Sequence, residues 1–369
     1  MSEVQQERTL QLPTVASLPL STHSEHVITA SSRQYASPED LFGAAAAALH
    51  RLNAEPVSLD VFGLRRQDAE SALVSALGQP DWPITWLEEG AEEASPFSGL
   101  HIWAISGASS TPIEVEGRVV GRCFGTHEAA FCRLGGVVPD NTACAKPAQA
   151  HAVFEALDTA LRTAGFRFAD VIRTWFYNDD ILGWYKEFND VRRDFFNRKQ
   201  VFDGLVPAST GIGARNHAGA ALVAGALAVR NKANNLHVVA LPSPLQCPAL
   251  DYGSCFSRAV EIAASEYRKV LVSGTASISL DGRTEPLGDV DGQIARTFEV
   301  VEAILESREM EWHNVTRCVV YVKDTKDIPR YDAFLARRNL ESLPAIVTKS
   351  DVCRDDLLFE IEVDAAALR

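Results

Sequence analysis

Two carboxylates and a thiol near the C-terminus carry most of the chemistry this sequence offers. The stretch Cys353-x6-Glu360-Ile361-Glu362 ends in an alternating run, Leu357–Val363, with Phe359, Ile361 and Val363 on one face and Leu358, Glu360 and Glu362 on the other. A carboxyl in a water-poor cleft stays protonated near neutral pH and can act as a general acid, with Cys353 nearby from the preceding turn. The same pattern also describes a sheet face turned to water, and on the strand alone that solvated face is the expected reading.

Cations that could hold an anionic substrate are fewer. Arg215 follows the turn Thr210-Gly211-Ile212-Gly213 and could pair with a carboxylate, or could be an ordinary surface arginine. The nine His show no ligand spacing, and His127 and His217 read as ordinary polar positions. There is no H-E-x-x-H, Walker or G-x-G-x-x-G context, so no metal and no nicotinamide or other cofactor is expected.

The formal net charge of −14 and the lack of a basic run argue against nucleic acid as a partner. An acidic chain that takes an anion must place a few Arg or Lys locally against its own field. Seven scattered cysteines without a C-x-x-C pair suit a reducing cytosol better than a disulfide framework. No basic start leads into an apolar segment, and Ala218–Val229 is too short and Gly-punctuated to span a membrane. The expectation is a cytoplasmic enzyme or binding protein.

The elements that must position these groups follow in order. Residues 1–36 read as a loose polar lead-in. Ser37-Pro38-Glu39-Asp40 is a helix start, with a Ser cap, Pro in the first turn and acids behind it, and the helix runs to about Leu52. Strands near Val57–Phe62, Ile84–Leu87 and Leu100–Ile105 surround a helix near Asp68–Leu77, with a loop at 95–99. Hairpins begin at Ile113, with strands at Ile113–Glu116 and Arg118–Phe124 about Gly117, then Ala129–Val138 broken at Gly135-Gly136. Helix 149–163, strand 170–177 and helix 183–196 lead through a loop to Pro207–Gly213 and the apolar strand Ala220–Val229; Arg230–Asn235 reads as a linker.

The order then recurs. Gln149-x4-Phe154-Glu155 and Val171-x-Arg173-x3-Tyr177 are echoed, at a constant offset of 144, by Gln293-x4-Phe298-Glu299 and Val315-x-Arg317-x3-Tyr321. Tyr185-x2-Phe188 returns as Tyr331-x2-Phe334, and Pro207-Ala208 as Pro344-Ala345. Together these indicate an internal duplication. It divides the chain into an N-terminal segment, 1–109, that has the same element order without the motifs, a first copy, 110–232, and a second, 233–369. The fold class is α/β, in the α+β sense, with each copy's helices on one face of a mixed sheet. Sixteen residues after Pro344 is Glu360, but sixteen after Pro207 is Val223, so only the second copy has the acid. That asymmetry favours a single active cleft.

The turn Ser273-Gly274-Thr275, Pro207–Gly213 and Phe359-Glu360-Ile361-Glu362 resemble the RidA/YjgF-like fold over about residues 110–369. As a whole the chain is similar to the chorismatases, which carry two such domains. The stretches are Arg173-Thr-Trp-Phe-Tyr-Asn-Asp-Asp180, Phe188-Asn189-x2-Arg192-Arg193-x-Phe195-Phe196, Tyr252-Gly253-x2-Phe256-Ser257-Arg258-Ala259 and Cys353-x6-Glu360. The resemblance implies tandem RidA/YjgF-like domains, in a pseudo-trimer with the degenerate N-terminal segment, and release of pyruvate from chorismate. Cys seven residues before the catalytic Glu implies the branch that forms 3-hydroxybenzoate; the alternatives are the hydrolytic branch, giving a dihydroxycyclohexadiene carboxylate, and a duplicated binding protein without this activity.

The same resemblance implies the roles. Glu360 is the proton donor, and Cys353 excludes water or assists ring opening. Tyr252 and Gly274 match positions lining the cleft, Gly274 by its backbone N–H. Asn189 and Arg193 lie on the helix facing that cleft, with Arg215 a further candidate. Arg173 and Arg317 recur in both copies and fit a scaffold role. Ser209 and Ile346 stand where the simple deaminases of this fold carry a carboxylate-binding Arg, so imine deamination is not expected. The implied partner is the small molecule chorismate, with no nucleic acid and no membrane, in a monomer or weak homo-oligomer.

Overall fold

The computed structural model describes residues 12–91, 98–232 and 235–369. Residues 1–11 of the N-terminal lead-in, 95–97 of the first loop and 233–234 of the linker therefore lie outside the described residues.

Three sheets follow one another along the chain. The first uses β1 (Thr14–Pro19), β2 (Ser24–Ser31), β3 (Glu55–Phe62), β4 (Ile84–Leu87) and β5 (Gly99–Ser106), in the order β1-β2-β5-β3-β4. The second uses β6 (Ser110–Val115), β7 (Arg118–Gly125), β8 (Ala129–Val137), β9 (Val171–Asn178), β10 (Ala208–Gly213) and β11 (Leu222–Asn231), in the order β10-β9-β11-β8-β7-β6. The third uses β12 (His237–Leu241), β13 (Ala259–Ala263), β14 (Tyr267–Ala276), β15 (Val315–Val322), β16 (Ala345–Lys349) and β17 (Phe359–Leu368), in the order β12-β13-β14-β17-β15-β16. In each sheet the last strand of the unit inserts at the centre, antiparallel to both neighbours. The first sheet has the same plan, short of one edge strand.

Each sheet carries two helices: α1 (Pro38–Leu52) and α2 (Arg66–Leu77), α3 (Lys146–Thr163) and α4 (Ile181–Arg198), α5 (Val290–Glu306) and α6 (Ile328–Arg338). The start of α1 forms as its sequence dictates: the Ser37 side chain accepts from the Asp40 N–H, and Asn53 closes the helix in the left-handed region. The repeated glutamines explain themselves. Gln149 accepts from the N–H of Ala221 and donates to Thr142 and Cys144 carbonyls; Gln293 accepts from the N–H of Leu358 and donates to Pro286 and Asp356 carbonyls. In both copies one buried amide ties the first turns of a helix to the start of the central strand.

Three apolar cores lie between the sheets and their helices, and a fourth lies where the other faces of all three sheets meet. That inner region also buries charge. Asp60 of β3 pairs with Arg133 of β8 at 3.1 Å, and Glu25 of β2 pairs with Lys269 of β14 at 2.6 Å. Each sheet thus contacts the other two around a common axis.

Three expectations are corrected. Within the N-terminal lead-in, Thr14–Pro19 and Ser24–Ser31 are the strands β1 and β2, and β2 buries its polar residues Glu25, His26 and Thr29 instead of presenting them to water. The stretch after Pro207, read as the end of a loop, is strand β10, parallel to β9. The Gly135-Gly136 pair does not break β8; it lets the strand pass tightly against Ile84 and Thr85 of β4, with Gly136 at φ +62°.

Candidate active site

The cleft that collects the candidate residues lies between the second and third sheets. It is joined there by main-chain contacts: the Ser257 N–H donates to the Pro207 carbonyl at 3.0 Å, and the Ser209 N–H to the Ser273 hydroxyl at 2.8 Å. The cavity is about 340 Å³. One wall is α4 with β10; the other is the Tyr252–Arg258 segment, β14, the Cys353 loop and Glu360 of β17.

Glu360 is not on a solvated face. It is 4 % exposed and Glu362 is 0 % exposed, because this face of β17 turns toward the axis rather than toward water. Burial, and then the neighbouring Glu362 carboxylate, push the Glu360 carboxyl up to about 8, against the pull of Arg173 and Arg258. Its acid form therefore persists at neutral pH. Glu362 goes the other way. Burial alone would raise it, but Arg317 and Arg173 outweigh burial and hold it below the ordinary range. Arg173 donates to Oε2 at 3.1 Å, Arg317 to Oε1 at 2.5 Å, and the Thr210 hydroxyl donates to Oε2 as well. Two carboxyls on one strand face thus take opposite protonation states, the arrangement that separates an acid from a fixed charge.

Gly274 accounts for how closely β14 approaches the acid. A Cβ there would collide with Glu360 Oε1 and lie 3.2 Å from Thr210 Cγ2. Its N–H donates to Thr210 Oγ1 at 3.2 Å, so it is engaged within the protein rather than offered to a ligand as expected.

Cys353 sits half-buried beside this group. Burial, and then Glu360, push its thiol up to about 12, so it is a neutral thiol rather than a thiolate. The Tyr185 hydroxyl is its hydrogen-bonding neighbour, and burial raises that phenol far above its ordinary value.

Asn189, Arg193, Tyr252, Gly274, Cys353 and Glu360 all line this one cleft. Asn189 donates to the Tyr185 carbonyl at 2.9 Å, while its buried Oδ1 has no partner among the described residues. Arg193 donates to the Gly253 carbonyl at 2.5 Å. Arg215 is elsewhere: it lies outside the cleft lining and pairs with Glu89 at 3.2 Å, because the chain turns away after β10 toward the first sheet.

The cleft contains residues that sequence reasoning did not assign. Arg192, 1 % exposed, donates to the Cys255 carbonyl, and its buried Nε has no partner among the described residues. Arg258 donates to the Cys247 carbonyl through Nε at 2.9 Å and a terminal nitrogen at 2.8 Å. Arg354 donates to the Gly282 carbonyl at 2.7 Å. Arg258 and Arg354 each lie 5.4 Å from the Tyr252 ring centroid, so two guanidiniums are within cation–π range of this ring. The signals were adjacency and motif membership: Arg354 follows Cys353, and Arg192 and Arg258 fall within the stretches already singled out.

Such a site can protonate a bound anion while holding its negative charges on arginines. Among the described residues no group of His, Cys, Asp and Glu is arranged to hold a metal ion, and no helix is long and apolar enough to cross a membrane.

Comparison with known proteins adds a family match, two similar proteins and one similar solved structure. Residues 253–367 match the family described as Endoribonuclease L-PSP. A 3-hydroxybenzoate synthase of Streptomyces hygroscopicus is 27% identical over 314 residues, covering 77% of this chain and 85% of that protein. A chorismatase of the same organism is 28% identical over 210 residues, covering 52% of this chain and 60% of that protein. Among solved structures, a chorismatase crystal structure aligns with TM-score 0.64 at 20% identity, over 84% of this chain and 92% of that one, and shows the shared fold.

Proposed function

We propose that this protein, of the chorismatase family and with the RidA/YjgF-like fold, converts chorismate to 3-hydroxybenzoate and pyruvate. The observation that carries the proposal is Glu360, a buried acid pushed up to about 8 in a cleft walled by Arg192, Arg193, Arg258 and Arg354.

The chemistry follows from the substrate, a dianion with an acid-labile enol ether. Glu360 transfers its proton to the terminal methylene carbon of the enolpyruvyl group, leaving an oxocarbenium-like centre beside the ether oxygen. The ring carbon–oxygen bond then breaks as the neighbouring ring hydroxyl attacks that carbon, and the leaving group departs as pyruvate. The proton lost by the attacking hydroxyl restores Glu360, and the resulting arene oxide opens to the phenol. General acid catalysis of this kind is worth about 10²–10⁴-fold. The guanidiniums supply charge-assisted hydrogen bonds to the carboxylates. Tyr252 and Asn189 complete the wall against which the ring would lie.

Cys353 supports this outcome over hydrolysis. A neutral thiol beside Glu360 fills part of the cleft that water would otherwise enter. One chain supplies both walls of the cleft, so a monomer is sufficient for activity, and seven unpaired cysteines suit a cytoplasmic enzyme.

Incubation of the purified protein with chorismate, with pyruvate and ring products followed by chromatography, tests the reading. Equal amounts of pyruvate and 3-hydroxybenzoate are expected. Pyruvate with a non-aromatic dihydrodiol acid would establish the hydrolytic alternative, and no turnover would leave a metabolite-binding protein.

A further inference from the structure

We propose that Glu362, held by Arg173 and Thr210, is a positioning residue for the reaction: a fixed negative charge behind Glu360 that keeps Glu360 in its proton-donating form. The proposal rests on reading Glu360 as the proton donor.

Glu360 and Glu362 are alternate residues of β17, so their side chains share one face of the strand. Two buried carboxyls side by side resist double ionisation. The surrounding cations resolve the conflict by location. Arg173 and Arg317 both lie on Glu362, at 3.1 and 2.5 Å, and among the described residues no guanidinium is within ion-pair distance of Glu360.

A second observation links this network to the acid itself. Thr210 Oγ1 donates to Glu362, and accepts from Arg173 at 2.9 Å and from the Gly274 N–H at 3.2 Å. Gly274 is the residue whose missing side chain leaves room for Glu360 Oε1. The groups that orient Glu362 therefore also fix the backbone against which the acid rests. Arg173 and Thr210 come from β9 and β10 of the first copy, whereas Glu360 and Glu362 come from the second. Docking of the two copies and protonation of the acid are thereby joined.

The other groups facing Glu360 are Tyr321 on β15, Arg258 at the start of β13 and Cys353 in the preceding loop. Around Glu362 lie also Asp364, Tyr177 and His101. Burial keeps the phenols and the thiol protonated, and holds His101 neutral with its value lowered to about 3. Near neutral pH the charges that act on Glu360 are Glu362 against Arg173 and Arg258.

The sign follows directly. Glu360 donates while protonated, so kcat/KM falls as pH rises through its pKa. Removing the negative charge lowers that pKa, and removing a nearby positive charge raises it. The test is the alkaline limb of kcat/KM for chorismate, measured by pyruvate release in folded wild type, Glu362→Gln and Arg173→Gln. Glu362→Gln moves the limb down by about one pH unit or more, and Arg173→Gln moves it up. A purely structural role would lower activity at every pH without moving the limb, and an unmoved limb in either folded variant overturns the proposal. If Glu362→Gln does not fold, Arg173→Gln decides alone; if neither folds, the network serves docking and the proposal is lost. A wild type that releases no pyruvate would instead refute the proposed function.

Discussion

Gly274→Ala is a one-methyl test of where the acid must sit. Gly274 is a strand residue without a positive φ, so an Ala backbone is allowed there. The added Cβ would fall well inside contact distance of Glu360 Oε1 and at 3.2 Å from Thr210 Cγ2. Thr210 is fixed by Glu362, Arg173 and the Gly274 N–H, whereas the Glu360 carboxyl is the end of a rotatable side chain; Glu360 must yield. Reaching ordinary van der Waals separation requires a withdrawal of about 1 Å, and misplacement of that size at a reacting centre costs about 10²-fold. The substitution also removes backbone freedom from the unfolded chain, worth about 0.4–1 kcal/mol in its favour, which offsets part of the crowding. Expected is a kcat for pyruvate release reduced about 10²-fold, a KM within a few-fold of wild type, and a melting temperature little changed. Pyruvate release followed by a coupled assay, with thermal unfolding by circular dichroism, measures both. Wild-type turnover in a folded Gly274→Ala protein would refute proton delivery from this position, and loss of the fold would refute the claim that Glu360 yields first.

Glu360→Gln keeps shape and hydrogen bonding but not the proton, so turnover should fall on the order of 10²-fold or more while chorismate still binds, as calorimetry would register. Cys353→Ala opens room for water, which needs about 10–15 Å³; pyruvate release should persist while ring product shifts from 3-hydroxybenzoate toward the dihydrodiol acid, and an unchanged product ratio would assign Cys353 to packing alone. Arg258→Gln and Arg354→Gln each remove a guanidinium within cation–π range of Tyr252 and should raise KM more than they lower kcat; a kcat effect without a KM effect would place these arginines outside substrate binding.

Much of the fold was legible because its signals are local. The Ser37 cap and the alternation of β17 act within a few residues, and the Gln149/Gln293 echo marks one repeated tie between helix and strand. The polarity of β1 and β2 misled, since a strand whose polar face meets an inner charge cluster looks like a solvated loop. The same reversal applied to Glu360 and Glu362: alternation defines two faces, but only the partner sheets decide which face meets water. Arg192, Arg258 and Arg354 escaped assignment because they act through carbonyls or rings presented across loop turns. Arg215 had the right residue type beside a promising turn, but its partner, Glu89, is distant in sequence.

The duplication also explains why one cleft carries the acid. The shared glutamine tie aligns Ala221 with Leu358, so Val223 takes the place of Glu360 and Gly225 that of Glu362. Register agrees: Val223 pairs with Tyr177 as Glu360 pairs with Tyr321. In the first copy the Gly225 position is space rather than charge, since a Cβ there would lie 2.9 Å from the Arg133 guanidinium that reaches Asp60. Around the axis, the carboxyls of Asp60, Glu362 and Asp364 therefore face the guanidiniums of Arg133, Arg173 and Arg317. Among the described residues, the further carboxyl on the same buried face has no guanidinium within ion-pair distance. Desolvating an unpaired carboxylate is costly, and protonation is the cheaper state. Glu360 is that carboxyl, so the charge balance that closes the three sheets around one axis also leaves a proton to give.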